Sequence, residues 1–434
     1  MIDKRVAVIG AGCTGLAMIK GLKDRGIKEI VCFEQNEAIG GNWLYSAEKS
    51  HSSVMSTTHI ISSKKLSEFR DYPMPDHYPD YPSHEQVLAY FNDYADEFKL
   101  RAHIRLGTKV NQALLRDDSK WEITTEDSSE VFDYLIVANG HHSMPRHAEM
   151  LRQFAGEYMH AHAFKNNSQV KGKRVLVVGG GNSACDCAVE SGRVAEHVTI
   201  SMRRPHYIIP KFLMGKPTDT FNEKLLWVPS FILNPMRKLM LRFQIGSYES
   251  YGLKTPDFGI TEDHPTLNSE LLYFIRHGKV YPQPAINAID GRQVSFENGH
   301  KEEYDTIIAA TGYKISTPFL DKSIVDYEDA DRIELYLRMF HPDYPTLIFA
   351  GLVQPQGAIW PLSEAQSKIA AAYVAGDYKM PDDIGAFAAK EADDIEHQYL
   401  KRKRHTIEVD FHGYLKQLNG IITNIQAAKK STTI

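Results

Sequence analysis

Short runs of apolar, mostly β-branched residues alternate along this chain with longer stretches in which apolar residues recur at helical spacing. The first run predicts a strand at residues 5–9, followed by a helix from about 14 to 25 and a strand at 29–34. A helical crossover of this length makes the two strands parallel neighbours. The start of the chain therefore predicts a βαβ unit.

A second strand-helix-strand pattern lies near the middle of the chain. Its strands are predicted at residues 173–178 and 197–202, and its helix at about 182–192. Two βαβ units separated by more than a hundred residues indicate two parallel sheets. The sequence thus predicts an α/β fold with two domains of similar construction.

Two further apolar strands bracket the second unit. They are predicted at residues 134–138 and 306–310, and they run into Gly140 and Gly312. In parallel sheets, ligands bind outside the carboxyl ends of the strands. We therefore expect both strands to deliver a loop to a ligand crevice.

Two capping-box spacings predict where helices begin. Ser83 with Gln86 opens a predicted helix at about 84–98, and Ser363 with Gln366 precedes an Ala-rich segment. In each pair the first side chain would accept from a backbone amide of the first turn. Both segments are therefore expected to be well-capped helices.

The composition excludes several classes of protein. Of the 434 residues, 43% are hydrophobic and 24% are charged, which is the balance of a globular chain. The 50 Lys and Arg against 55 Asp and Glu give a net charge of −5, so no basic field exists to hold nucleic acid. The four cysteines follow no zinc spacing, and we expect reduced thiols, with Cys185 and Cys187 packed on a helix.

The sequence predicts neither export nor a membrane span. An apolar strand begins within six residues of Met1, which leaves no room for a signal peptide. The most apolar long stretch, 225–245, is interrupted by prolines and basic residues. The basic run 401–404 fits a solvated helix face better than a targeting signal. We expect a cytoplasmic protein.

A glycine-rich loop follows the first predicted strand. Gly10 allows a tight turn, Gly12 allows a pyrophosphate to approach the backbone, and Gly15 allows close packing of the helix. The helix N-terminus then faces the phosphates. Glu34 ends the next strand, 19 residues after Gly15, where a carboxylate accepts from ribose hydroxyls. The loop and the acid together predict a dinucleotide site.

The second unit carries the same loop without the acid. Gly179 and Gly181 follow its first strand, Asn182 and Ser183 open its helix, and Ala184 takes the third glycine's place. After the next strand the sequence reads Ser201-Met202-Arg203-Arg204. An Arg pair suits a 2′-phosphate, which a carboxylate would repel, so this site is expected to prefer NADP over NAD. The alternative is two surface arginines on a loop.

Two dinucleotide sites in one chain indicate that one cofactor supplies electrons to the other. A flavin, FAD, reduced by NADPH fits best. The sequence has no G-x-S-x-G, no P-loop, no H-E-x-x-H and no complete zinc ligand set, so we expect no metal and no hydrolase chemistry. If the helix after Ser363 points at the flavin, its N-terminus would stabilise the reduced anion; otherwise it is a core helix.

Several segments together resemble the flavin-containing monooxygenases, which are FAD- and NADPH-dependent. Residues 154–165 match the family fingerprint F-x-G-x-x-x-H-x-x-x-[FY]-[KR], and the ending Phe164-Lys165 favours heteroatom oxygenases over Baeyer–Villiger monooxygenases. Residues 40–43 resemble its G-G-x-W segment, 310–313 its A-T-G-Y strand end, and 351–366 its G-L-[IV]-Q-P segment with the following helix.

The resemblance implies a reaction cycle. NADPH reduces FAD, the reduced flavin captures O₂ as a C4a-hydroperoxide, and a soft amine or sulfide takes the distal oxygen to give an N-oxide or sulfoxide. Such chemistry needs few acid-base residues. The alternative on the same fold is a Baeyer–Villiger or decarboxylating oxygenase of ketones or keto acids.

The resemblance also assigns cofactor residues. FAD would be held by Gly10, Gly12, Gly15, Glu34, Asn42 and Trp43, and NADPH by Gly179, Gly181, Asn182, Ser183, Ser201, Arg203 and Arg204. Further cofactor-binding candidates are Gln35, Gly41, Ser62, Thr311 and Gln366.

One position departs from the family pattern. Many members carry an Asn near the flavin where this sequence has Ile61, and the isoleucine side chain cannot form a hydrogen bond. The adjacent Ser62 and Ser63 are therefore the catalytic candidates, because a hydroxyl can substitute as donor. His59 is a weaker candidate, for which a packing or surface role is the alternative.

Two other classes of protein remain as alternatives. A flavin disulfide reductase needs a redox-active cysteine pair, and Cys185 and Cys187 have the wrong spacing for one. A non-enzymatic NADP sensor would fit only if FAD did not bind.

The expected architecture is an FAD domain at residues 1–160 and 300–434, with an NADPH domain inserted at 161–299. The NADPH domain carries an apolar insertion at about 211–255, which includes Trp227, Phe231, Met236, Leu239, Met240 and Phe243. Its apolar side chains are expected to pack in a core or line a channel, with peripheral membrane contact as the alternative. The expected partners are a small lipophilic amine or sulfide and O₂, and a homo-oligomer is left open.

Overall fold

The chain divides into two units, each built on a parallel sheet of its own. The computed structural model describes residues 2–48, 51–400 and 405–432. The first unit comprises Met1–Leu44, Lys64–Ser143 and Lys314–Ile434, and the second comprises Tyr45–Ser63 and Met144–Tyr313.

These bounds differ from the predicted domains in three segments. Residues 45–63, 144–160 and 300–313 lie with the second unit, not the first. Two of these segments carry strands that pair in the second sheet, where Glu157–His160 lies parallel to Thr306–Ala309. The basic run for which a helix face was predicted, 401–404, lies outside the described residues.

The first sheet has five parallel strands. In spatial order they are Leu347–Phe349, Tyr134–Val137, Ile2–Ile9, Ile27–Phe33 and Ile104–Arg105. The predicted first βαβ unit and the predicted strand before Gly140 are thus confirmed, with small shifts at their ends. Val6, Ala7 and Val8 have no exposed surface, as expected for a central strand covered on both faces.

Two long helices pack closely in the first unit. Cys13–Asp24 lies against Trp360–Val374, and a Cβ at Gly21 would lie only 2.8 Å from Oγ of Ser367. The other α-helices described in this unit are Lys64–Ser67, His84–Glu97, Ile384–Gln398 and Phe411–Thr432. The predicted capping box of Ser83 and Gln86 is confirmed at the start of His84–Glu97.

The second sheet repeats the plan of the first. In spatial order its strands are Tyr281–Gln283, His197–Ser201, Arg174–Val178, Thr306–Ala309 and Glu157–His160, all parallel. In both sheets the strand before the glycine loop is central, with the strand after the loop's helix on one side. On the other side lies the strand that runs into Gly140 or Gly312. The second predicted βαβ unit is confirmed.

Each unit also carries a three-stranded antiparallel sheet. The strands are Gln112–Leu115, Trp121–Thr124 and Ser129–Phe132 in the first unit, and Ile286–Asp290, Gln293–Phe296 and Lys301–Glu303 in the second. The α-helices described in the second unit are Glu149–Arg152, Asn182–Gly192, Thr218–Glu223, Ser230–Ile245 and Leu271–Arg276.

The apolar insertion forms a helix that leaves large side chains in solvent. Ser230–Ile245 begins after Pro229 and continues through Pro235. Trp227 is 81% exposed, Phe231 75% and Phe243 83%, so the prediction of core packing is wrong for these side chains. No helix within the described ranges combines the length and apolar character that crossing a bilayer requires.

Candidate functional site

The first glycine loop makes a turn that only glycine fits. Gly10 has a φ of +103°, and a Cβ there would lie 2.6 Å from the carbonyl oxygen of Ala138. A Cβ at Gly15 would lie 1.9 Å from the carbonyl oxygen of Gly10. The loop can therefore pass directly from the central strand into its helix, as a dinucleotide-binding turn requires.

A second glycine segment lies against this loop. Gly41, at the start of the short helix Gly41–Trp43, would place a Cβ 2.9 Å from Cα of Gly12, and the amide of Gly40 donates to the carbonyl oxygen of Ala11 at 3.0 Å. Gly12 caps the helix Cys13–Asp24 without a side-chain bond. The first amides of that helix lie beside a surface made of backbone alone, which fits a pyrophosphate group.

Glu34 is buried at the edge of the first loop. One carboxylate oxygen accepts from the amide of Ala11 at 2.8 Å, and the other accepts from the amide of Asn36 at 2.9 Å and from its side chain. Each oxygen can accept more than one bond, so the carboxylate can also take a ribose hydroxyl. Gln35, the next predicted site residue, is exposed.

The structure brings Asn42 and Trp43 to the same edge of the first unit. Both belong to the short helix whose first residue, Gly41, touches the glycine loop. The Trp43 ring packs edge-on to Trp360 with centroids 6.1 Å apart. This aromatic contact positions the short helix Gly41–Trp43.

The second glycine loop repeats the turn of the first. Gly179 has a φ of +140°, and a Cβ there would lie 2.5 Å from the carbonyl oxygen of Ala310. A Cβ at Gly181 would meet no atom within 4 Å, so the space above the helix N-terminus is open. Ser183 is exposed, whereas Oδ1 of Asn182 accepts from the amide of Leu267 at 2.7 Å.

Strand register identifies the counterpart of Glu34 in the second unit. The amide of Gly10 donates to the carbonyl of Phe33, and the amide of Gly179 donates to that of Ser201. Met202 therefore stands where the first unit has its carboxylate. The exposed Arg203 and Arg204 follow at once. Ser201 lies just below, and its hydroxyl donates to the carbonyl of Pro284 at 2.7 Å.

The two candidate catalytic serines end a segment of the second unit. Ser62 and Ser63 are both buried, and the amide of Ser63 donates to a carboxylate oxygen of Asp219 at 2.5 Å. The Ser63 hydroxyl is buried without a hydrogen-bond partner among the described residues. His59 is exposed, with Nδ1 2.9 Å from the carbonyl oxygen of Thr57, which favours its surface alternative.

Comparison with known proteins decides the family. A family model described as flavin-binding monooxygenase-like matches residues 3–430. The chain belongs to this family. Flavin-containing monooxygenase 5 of Homo sapiens is 35% identical over 450 residues, covering 97% of this chain and 83% of that protein. Dimethylaniline monooxygenase (N-oxide-forming) 2 of Oryctolagus cuniculus is 33% identical over 404 residues, covering 87% and 74%.

A solved structure shows the same fold. S-allyl-L-cysteine S-oxygenase from Allium sativum superposes with a TM-score of 0.73 at 23% identity, covering 97% of this chain and 88% of that one. Membership in the flavin-binding monooxygenase-like family confirms the predicted oxidoreductase class, the α/β fold with two dinucleotide-binding domains, and the cofactors FAD and NADPH.

The fingerprint of this flavin-binding monooxygenase-like chain is held together by backbone contacts. His160 accepts at Nδ1 from the amide of His162, and its Nε2 donates to the carbonyl of Gly312, both at 3.1 Å. Burial lowers the pKa of His160 to about 4, and the charge of His147 adds to the shift. Thr311 donates its hydroxyl to the carbonyl of Arg146. The fingerprint thus braces the strand end at Gly312.

Lys165, the last residue of the fingerprint, points away from solvent. Its ammonium group donates to the carbonyl of Ser52 at 2.5 Å, and burial lowers its pKa. The contact joins the fingerprint to the segment that carries Ser62 and Ser63. Lys165 is therefore a residue that positions this segment.

Gln366 and Ser363 do not form the predicted capping box. The helix begins at Trp360 with Pro361 in its first turn, so both residues lie inside it. Gln366 is fully buried; its carbonyl accepts from the amide of Gly351 at 2.9 Å, and its amide donates to Tyr414 at 2.8 Å. Ser363 pairs instead with Thr14, whose hydroxyl lies 2.8 Å away.

The cysteines give no support to disulfide chemistry. Cys185 and Cys187 lie buried on the helix Asn182–Gly192, as predicted, and both are free thiols. Burial raises the pKa of each, which keeps the thiolate scarce. A search of the described residues finds no group of His, Cys, Asp and Glu that could hold a metal ion.

The contacts around Gly180 were not predicted. Thr266 donates its hydroxyl to the Gly180 carbonyl at 2.9 Å, and a Cβ at Gly180 would lie 2.2 Å from Cδ2 of His206. His206 lies 26 residues and Thr266 lies 86 residues after Gly180 along the chain, which is too far for a local sequence pattern to indicate the contacts. A histidine soon after the Arg pair was the one visible signal.

Proposed function

We propose that this chain is an NADPH-dependent oxygenase that converts soft nitrogen or sulfur nucleophiles to N-oxides or sulfoxides with O₂. One observation supports it most strongly. Two glycine loops of the same geometry differ at one register position, where the first has Glu34 and the second has Met202 followed by two arginines. A relative named for N-oxide formation of dimethylaniline supports the nitrogen substrate.

In this proposal the first unit holds FAD. The helix N-terminus at Gly12 would face the pyrophosphate, and Glu34 would accept from the ribose hydroxyls. Gly41, Asn42 and Trp43 would lie along the same nucleotide, because their short helix touches the loop. Gln366, whose polar atoms are both bonded within the protein, would hold the Gly351 backbone in place.

In the same proposal the second unit holds NADPH. The open space at Gly181 would admit the pyrophosphate, and Arg203 and Arg204 would pair with the 2′-phosphate. Met202 carries no charge that would repel it. Ser201 would act through the backbone, since its hydroxyl already donates to Pro284.

The flavin supplies the redox chemistry with O₂ when bound, and the protein's own task is to position groups and exclude water. Ser63 suits that task, because its buried hydroxyl has no partner among the described residues and can donate. Ile61 beside it provides no donor. Ser63 and Ser62 would therefore supply the hydroxyl donors to the bound cofactor.

Ser63→Ala tests this role. The folded protein should keep its stability to within about 0.5 kcal/mol, because the hydroxyl satisfies no protein group. The fraction of NADPH that yields product should fall at least several-fold, with hydrogen peroxide rising in step. Ser250→Ala, a change at an exposed serine, is the control. If Ser63→Ala yields as much product per NADPH as the wild type, Ser63 does not have the proposed role.

Product analysis tests the reaction class. We expect NADPH oxidation in the presence of N,N-dimethylaniline or thioanisole to give the N-oxide or the sulfoxide. Cyclohexanone serves as the rival substrate, because oxygen insertion into a ketone would give a lactone. Lactone formation without N- or S-oxygenation would replace the proposal with the Baeyer–Villiger alternative.

The exposed insertion favours contact with an anionic lipid surface. Phe231, Leu239 and Phe243 recur at intervals of four or eight residues along the helix Ser230–Ile245, and each is more than half exposed. Residues 211–245 contain six Lys and Arg against two Asp and Glu, although the chain as a whole is acidic. Aromatic residues flanked by basic ones are typical of helices that lie in the membrane interface.

Vesicle sedimentation tests this contact. The protein should bind vesicles of phosphatidylserine and phosphatidylcholine more strongly than pure phosphatidylcholine, and binding should weaken with salt. Phe243→Ser should lower it several-fold, whereas Phe387→Ser, at an exposed phenylalanine of the first unit, should not. Equal binding by both variants would rule the surface out.

A further inference from the structure

The ring of His206 occupies the side of the second glycine loop. A Cβ at Gly180 would lie 2.2 Å from Cδ2 and 2.6 Å from Nε2 of His206, so this glycine leaves room for the imidazole. The His206 side chain is 11% exposed. The edge of the ring that carries Nε2 thus faces the loop.

A buried carboxylate lies behind the ring. Nδ1 of His206 is 3.9 Å from a carboxylate oxygen of Asp263, whose side chain is 3% exposed. The other oxygen of Asp263 accepts from the amide of His264 at 2.9 Å, which fixes the carboxylate. At 3.9 Å this contact is an ion-pair distance and not a hydrogen bond, and it places a buried negative charge on the Nδ1 side of the ring.

The first loop has a residue that corresponds to Gly180. Ala11 corresponds to Gly180, because each is the second residue of its loop, and the Ala11 amide donates to Glu34. In the first unit the group beside that residue is thus the proposed ribose-binding acid. In the second unit the group beside Gly180 is His206, a potential cation in place of an anion.

His206 also follows the Arg pair on one segment. Arg203 and Arg204 leave the strand His197–Ser201, and two residues later the chain returns the imidazole to the loop. The chain then continues into Ile208–Ile209, which pairs with Thr266–Leu267, and these last two residues bond the Gly180 carbonyl and the Asn182 side chain. The segment that carries the two exposed arginines thus also carries the ring that lies against the loop.

We propose that His206, which lies against Gly180 with Asp263 on its Nδ1 side, is a third residue that recognises the 2′-phosphate of NADPH, together with Arg203 and Arg204. The inference rests on the proposed function, since it assigns NADPH to the second unit. It adds a residue that neither the glycine motif nor the Arg pair identifies. Nε2 is the donor that meets the phosphate.

Nucleotide binding to the purified, FAD-loaded protein tests the proposal. Dissociation constants for NADP⁺ and NAD⁺ are measured by calorimetry at one pH for the wild type, His206→Ala and the control His277→Ala, an exposed histidine of the same unit. His206→Ala should weaken NADP⁺ about 10-fold or more and NAD⁺ less than about 2-fold, since a charge-assisted bond is lost from one ligand alone. His277→Ala should change neither.

A second variant separates recognition from loop geometry. His206→Gln keeps a donor and most of the ring's volume, so it should weaken NADP⁺ by less than His206→Ala and leave NAD⁺ unchanged. If either variant weakens both nucleotides equally, His206 only shapes the loop and the proposal is overturned. Unchanged NADP⁺ binding in His206→Ala overturns it as well.

The outcome for the wild type separates this inference from the proposed function. If the wild type prefers NADP⁺ and the His206→Ala variant binds NADP⁺ as tightly as the wild type, the role of His206 alone is overturned. If the wild type binds NAD⁺ as tightly as NADP⁺, the proposed NADPH site and this inference are both overturned. Loss of N- and S-oxygenation with intact NADP⁺ selectivity would leave His206 supported.

Discussion

At the scale of single residues, Glu34 joins the first loop to the strand that follows its helix. Its carboxylate accepts from two backbone amides, and Ala11, which supplies one of them, is fully buried. Replacing the carboxylate would leave these donors unpaired, at a cost of about 1–3 kcal/mol each where burial is complete. The same carboxylate is the proposed ribose acceptor, so stability and FAD binding should change together.

Glu34→Ala should therefore lower the thermal midpoint of the apoprotein and weaken FAD at least about 10-fold. FAD affinity is measured by quenching of flavin fluorescence, and stability by circular dichroism. Glu37→Ala, at an exposed glutamate three residues on, is the control and should alter neither. Normal FAD affinity in Glu34→Ala would contradict the assignment of the first loop.

His160 predicts a pH dependence of stability. The pKa of His160 in the folded protein is about 4, below the ordinary 6.5, because burial disfavours the charged ring. Nδ1 accepts a hydrogen bond from the amide of His162, which also disfavours a proton on that atom. The unfolded chain therefore binds the proton first as pH falls. The stability that the neutral His160 ring contributes is fully present above about pH 6.5 and is lost as the pH falls towards 4.

At pH 5 this loss should be on the order of 2 kcal/mol relative to pH 7.5. Denaturant unfolding of the wild type and of His160→Gln at both pH values measures it. The amide has no proton to gain, so the variant should lose less stability on acidification. His300→Gln, at an exposed histidine, should behave as the wild type. An equal loss of stability on acidification in the wild type and in His160→Gln would contradict the assignment of a neutral His160 ring.

At the scale of elements, two helical glycines predict opposite effects of the same substitution. Gly21 lies where the helices Cys13–Asp24 and Trp360–Val374 meet, and a Cβ would lie 2.8 Å from Oγ of Ser367 and 2.9 Å from its carbonyl oxygen. Gly385, in the helix Ile384–Gln398, has no atom within 4 Å of the same position.

Gly21→Ala should thus lower the free energy of unfolding by about 1–3 kcal/mol, because the helices must separate. Gly385→Ala should raise it by about 0.5–1 kcal/mol, since alanine has the higher helix propensity. Chemical denaturation of both variants checks the pair. A stabilised Gly21→Ala protein would show that the helices do not pack as described.

The elements that sequence predicted well are those with local signals. The two βαβ units follow from apolar runs and glycines within a few residues of each other, and the box of Ser83 and Gln86 is itself a contact across one turn. The turns of the two glycine loops follow from spacings of the same kind, whereas the nucleotide contacts of Glu34 and the Arg pair stay predictions. The glycines of each loop lie close enough along the chain to be recognised as a spacing.

The elements predicted poorly depend on distant contacts. Ser363 and Gln366 have capping-box spacing, but Trp360 is buried and the helix starts there, which leaves Gln366 to bond Gly351 and Tyr414. Residues 45–63 lie with the second unit, where Lys165 bonds Ser52, over a hundred residues away along the chain. The contact of His206 with Gly180 was not predicted, since only the folded chain brings the two together.

At the scale of the whole molecule, the chain uses one plan twice. Each unit has a central strand, a glycine loop, a five-stranded parallel sheet and a three-stranded antiparallel one. In the proposed function the units differ in how each recognises its nucleotide: by a carboxylate in the first, and by Met202, two arginines and His206 in the second. Two sites of one plan with different specificities fit electron transfer from NADPH to a flavin.

The most direct test of this account follows the oxygen atom. The FAD-loaded protein is supplied with NADPH, thioanisole and ¹⁸O₂, and the sulfoxide is examined by mass spectrometry beside the amounts of NADPH and peroxide. We expect one ¹⁸O atom in each sulfoxide and close to one NADPH consumed per product. NADPH consumption that yields only hydrogen peroxide, or a sulfoxide without the label, would contradict it.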